Sequence, residues 1–72
     1  MDKGLRAAVE AAGGKAALAS RLGISKQAVG QWRRVPERRV VEVARVTKVR
    51  AWVLRPDLYP AGVARALQGL VR

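Results

Sequence analysis

The chain has no cysteine, no histidine and no phenylalanine, and its 72 residues include one tyrosine, two tryptophans and five acids. Without cysteine there is neither a disulfide nor a thiolate metal site, and without histidine the commonest general base near neutral pH is missing. Carboxylates are left as the candidate catalysts. Asp2, Glu10, Glu37, Glu42 and Asp57 are scattered, and none stands beside a serine or threonine in a way that suggests an activated nucleophile. An enzyme is therefore not expected, and neither is a metal, a small-molecule cofactor or a small-molecule substrate. The longest apolar runs are a few residues, far below the roughly 20 that span a bilayer, and the N-terminal residues lack a signal-type apolar core. The expectation is a cytoplasmic protein that does not enter a membrane.

What is abundant is positive charge. Fifteen Lys and Arg against five acids give a formal charge of +10, which calls for a polyanionic partner. The length fits one small domain, too short to bury much apolar surface, so a partner subunit would add stability.

Local signals place the first helices. Asp2 is suited to cap a helix in which Leu5, Ala8, Val9 and Ala12 form one apolar stripe, and Gly13 and Gly14 stop it. A second helix runs about Lys15 to Leu22 and presents Leu18 and Leu22 inward, with Ala19 small enough for another backbone to approach. Gly23 suits a left-handed turn. Ser25 is the natural cap of a third helix, with Ile24 and Ala28 bracketing it as a hydrophobic staple. On a wheel of ~100° per residue, Ala28 and Trp32 fall near Val29, whereas Gln27, Gln31 and Arg34 lie roughly 140° to 200° away. Gln27, Gln31 and Arg34 are thus expected to project from this helix, and Lys26, a charged residue in its first turn with no core to bury it, is expected to project as well. Pro36 fits the first turn of a fourth helix, with Glu37 near its positive end and Val40, Val43, Ala44 and Thr47 facing inward. Glu42 is expected to pair with Arg38 or Arg45.

From Lys48 onward the pattern is ambiguous. Val49 to Leu54 suits either a helical turn or a strand, and Arg55 to Pro60, with two prolines, suggests a structured loop. Pro60 opens a last helical pattern in which Val63, Leu67 and Leu70 share a face. The expected division is a domain over 1–60 and a C-terminal tail over 61–72 with helical spacing.

The stretches AALASRLGIS, KQAVGQW, VPERRVVEVARVT and RPDLYP resemble the Cro and repressor type of helix-turn-helix proteins of bacteriophages, including small Cro-like, antitoxin-like regulators. The resemblance covers roughly Leu5 to Pro60. It implies an all-α domain of about five helices, although some Cro proteins are α+β, with a C-terminal β-hairpin that here would begin about Val49. It also implies a homodimeric transcriptional repressor on a nearly palindromic double-stranded DNA operator, in a bacterial or phage-infected cytoplasm and associated with the nucleoid. The motif core falls on Leu18, Ala19, Leu22, Gly23, Ile24, Val29 and Trp32. Base-reading positions fall on Lys26, Gln27 and Gln31, with Arg34 as a further candidate. Gly30 departs from the polar residue that many relatives carry in mid-helix.

Phosphate contacts are expected from Lys15, Ser25, Arg33, Arg38 and Arg39, for which the ordinary alternatives are solvated charge or, for Ser25, helix capping. Trp52 either completes the core or anchors a dimer contact with Val53 and Leu54. Two other functions compete: an antitoxin-like regulator that also binds a toxin protein, and a basic RNA-binding module. The second would be expected to show the exposed aromatics or glycine clamps that unpaired bases need. A cationic membrane binder would instead need one long amphipathic helix.

Overall fold

The computed structural model describes residues 1–60; the helical pattern of Val63, Leu67 and Leu70 and the rest of the expected tail lie outside the described residues. Five α-helices make up the described part, α1 (Lys3–Ala12), α2 (Lys15–Leu22), α3 (Lys26–Gly30), α4 (Val40–Thr47) and α5 (Ala51–Leu54), with a 3-10 turn over Glu37–Arg39 leading into α4. The architecture is all-helical, and among the described residues there is no strand. The hairpin alternative from Val49 is thereby overturned.

The first three helices form where their local signals predict. Asp2 is extended (φ −79°, ψ 176°), and its carboxylate accepts the Leu5 N–H at 2.8 Å, so one orphan donor of α1 is satisfied. Gly13 closes α1 at φ 95°, in the left-handed region where an L side chain is strained, and its N–H reaches the Val9 and Glu10 carbonyls. Leu5, Ala8 and Ala12 are buried and Val9 partly so, which matches the expected stripe. Gly23 performs the same service for α2 at φ 71°, and Ile24 N–H bonds back to Ala19 O at 3.0 Å.

Two boundaries and one ion pair differ from expectation. Helix α3 ends at Gly30, so Arg33 and Arg34 lie on a bend beyond it. Gln31 closes the helix, Trp32 N–H turns back to Val29 O at 3.1 Å, and Pro36 holds the following chain extended. Pro36 itself (ψ 142°) caps the 3-10 turn from outside instead of occupying the first turn of α4. Glu42 pairs with Arg39, at 3.0 Å, and not with Arg38 or Arg45. The 3-10 turn brings Arg39 to the head of α4, three residues before Glu42, where one helical turn separates their side chains.

The core sits where α1 meets α2, α4 and α5 and where α2 meets α3 and α4. Leu5, Leu18, Val29, Val35, Val40, Val43 and Leu54 are fully buried in it. Helix α5, a single turn too short to persist alone, is held by Leu54 in that core. Its approach to α1 is unusually close: a Cβ on Gly4 would lie 2.7 Å from Val53 O and closer still to Leu54 O.

Candidate nucleic-acid interface

Helices α2 and α3, joined by Gly23, Ile24 and Ser25, make the helix-turn-helix. Leu18, Ala19 and Leu22 fill one side of the joint, fully buried Val29 fills the other, and Ile24 and Trp32 pack partly buried against the same core. With Val29 pinned inward, Lys26, Gln27, Gly30 and Gln31 are exposed. Gln27 and Gln31 are one turn apart and occupy one side of α3 and its closing residue. The start of α3 is set by Ser25, whose Oγ accepts the Ala28 N–H at 3.1 Å. That hydroxyl is therefore engaged in capping, the ordinary alternative to a phosphate contact.

The basic residues fall into two groups. Lys15, Lys26, Arg33, Arg34 and Arg38 are exposed, and the ion pairs among the described residues are Arg39–Glu42 and Arg55–Asp57, so none of these five is neutralised. Lys15 opens α2, a helix start that no side chain caps. Arg39 is half-buried and spends part of its charge on Glu42. Arg34, expected on the helix itself, stands with Arg33 on the bend after it.

Sequence reasoning passed over the residues that shape this bend. The Asp2 N–H donates to Arg33 O at 3.0 Å, and buried Arg55 donates from Nη1 to Val35 O at 2.9 Å. Arg55 also grips Asp57 in two parallel bonds, Nε to Oδ1 at 2.9 Å and Nη2 to Oδ2 at 2.7 Å. The charge-assisted fork lowers the Asp57 pKa to about 2 and raises that of Arg55. The signal was present in Arg55-Pro56-Asp57, two complementary charges across a proline, yet nothing local identifies Val35 as the third partner. Arg21 is likewise structural, donating to Val46 O at 3.1 Å.

The expected dimer patch is divided by the fold. Leu54 has no exposed surface, being part of this chain's own core, and so cannot belong to a contact patch. Val53 is exposed and Trp52 half-buried, with the Arg50 guanidinium over its ring at 5.7 Å. None of the helices among the described residues is long and apolar enough to cross a membrane.

Residues 5–63 match the family model described as bacterial toxin YdaS. No curated protein and no solved structure matches significantly. The match supports the helix-turn-helix family at a coarser level than the Cro and repressor resemblance of the sequence motifs.

Proposed function

The chain belongs to the family described as bacterial toxin YdaS, and from that premise we propose that it is a small phage-type regulator that binds double-stranded DNA through α3, in the manner of a Cro-like repressor. The observation that carries this reading is the surface of α3: Lys26, Gln27 and Gln31 exposed on a helix seated by buried Val29, in a chain of charge +10. Each glutamine can donate to and accept from one adenine edge in the major groove, a pairing worth about 1–3 kcal/mol of discrimination. Lys26 adds a donor for guanine or a nearby phosphate. Arg33, Arg34 and Arg38 supply phosphate contacts on one side, and Lys15 at the start of α2 supplies one on the other. Arg34, exposed on the bend just past α3, is a candidate for either a base edge or a phosphate.

The five residues of α3 span only about 7.5 Å of axis at ~1.5 Å each. That length faces about two base pairs at ~3.4 Å per step. Sequence choice per copy is accordingly limited, and two copies on a palindromic site about 34 Å apart would double it. Selection from randomised duplexes at stated salt tests this: a short palindromic consensus is expected, and Gln27→Ala should relax one position of each half-site. Selection without any consensus refutes base reading by α3.

The family description favours a second reading, in which the protein arrests growth. The same surface would produce arrest by occupying host promoters. Expression of Gln27→Ala/Gln31→Ala should then lose growth inhibition, whereas undiminished inhibition favours a protein target.

A further inference from the structure

Away from α3, helices α4 and α5 border an open groove whose apolar walls are Val41, Ala44, Val49 and Trp52. Val41 is 60% exposed, the most exposed large hydrophobic side chain among the described residues. Three cations, Arg45, Lys48 and Arg50, rim the same groove, and among the described residues no acid lines it. Among the described residues none of the three has a carboxylate partner. Arg50 is steered to the rim by its place over the Trp52 ring.

Lys48 adds an independent sign. It closes α4 at φ 64°, and it is the one non-glycine residue among those described in the left-handed region. Gly13 and Gly23 do the same work elsewhere without strain. A lysine here carries a backbone cost that places an ammonium at the groove mouth.

We propose that the α4–α5 groove is a docking site for an acidic amphipathic helix of a partner protein, with apolar side chains on Val41, Ala44, Val49 and Trp52 and carboxylates on Arg45, Lys48 and Arg50. Charge complementarity selects this occupant. A second copy related by a two-fold axis would set three cations against three identical ones with no acid between them. This chain offers few carboxylates from any other face, since Glu42 and Asp57 are engaged with Arg39 and Arg55. Nucleic acid would satisfy the cations but leave the apolar walls facing phosphates and water.

The test uses the full chain, labelled with nitrogen-15, and two synthetic helical peptides with leucine on one face and either glutamate or lysine on the other. The glutamate peptide should shift the amides of Ala44 and Val49 and the Trp52 indole N–H, and the lysine peptide should not. Arg45→Glu/Lys48→Glu, verified as folded by its own spectrum, should weaken the glutamate peptide by roughly tenfold and gain affinity for the lysine peptide. Equal response to both peptides, or none, overturns the proposal. Concentration-dependent shifts of these signals without peptide would assign the groove to a second copy, and shifts with duplex DNA alone would assign it to nucleic acid; each overturns it as well. None of these signals lies on α3, so a failure here leaves the DNA-binding reading separately testable.

Discussion

Replacing Gly4 with alanine should destabilise the fold, and replacing Gly30 with alanine should not, although both glycines lie in helices. In a helix interior the exchange is ordinarily favourable by about 1 kcal/mol, because alanine restricts the unfolded backbone. At Gly4 the new methyl would meet Val53 O at 2.7 Å and the Leu54 carbonyl carbon at 2.8 Å, where ordinary contact begins at 3.4 Å. The obstacle is backbone, so no rotamer change relieves it. Helix α1 must withdraw from α5, loosening Leu5 and Leu54, both fully buried. Overpacking of this kind costs about 1–3 kcal/mol. Since Gly4 is the second residue of α1, the helical gain is partial, leaving a net loss of about 1–2 kcal/mol. For a domain of this size that lowers Tm by roughly 5–15 °C. At Gly30 a Cβ meets nothing within 4 Å, and a gain of a few tenths of a kcal/mol is expected at a helix end. Thermal melts followed by circular dichroism compare the two variants with the parent. A Gly4→Ala protein as stable as the parent refutes the close approach of α1 to α5.

The remaining predictions concern the loop clamp, the α4 cap and the basic surface. Asp57 has its pKa depressed to about 2 from 3.8 by Arg55, so its stabilising contribution is complete above about pH 4 and is lost as pH falls through 2. Asp57→Asn should remove that portion of the acid transition, as measured by denaturant titrations across this window. Lys48→Gly relieves the left-handed strain at φ 64° and should stabilise the domain by up to about 1 kcal/mol in urea unfolding, because glycine occupies that region freely. Arg38→Ala should weaken DNA binding about equally on all sequences and reduce the salt slope of log K by about one unit; an unchanged slope would return Arg38 to plain solvated charge.

The helix-turn-helix was legible because its determinants are close in sequence. Asp2, Gly13, Gly23 and Ser25 each act on backbone groups within a few residues, so their identity and position suffice to set the ends of α1 and α2 and the start of α3. The exposure of Gln27 and Gln31 followed from the same local geometry once Val29 was turned inward. Helix extent was less legible. An amphipathic wheel continues through Arg34, but the chain leaves the helix at Gly30, where a glycine, Pro36 downstream and the two bonds to Arg33 O and Val35 O favour a bend.

Those two bonds mark the limit of local inference. Arg55 looks like one more basic residue in a basic chain, and its burial depends on Val35, twenty positions away. Gly4 looks like an ordinary helical glycine until α5 crosses it, and Val49 to Leu54 becomes a helical turn because Leu54 completes a core assembled from residues as distant as Leu5. The caps, the turn and the polar face of α3 are written in contacts of three to five residues, although helices this short persist only once the core holds them. The bend after α3, the clamp beneath it and the cationic groove between α4 and α5 depend on segments that meet only in the folded domain, where burial outweighs weak local propensity.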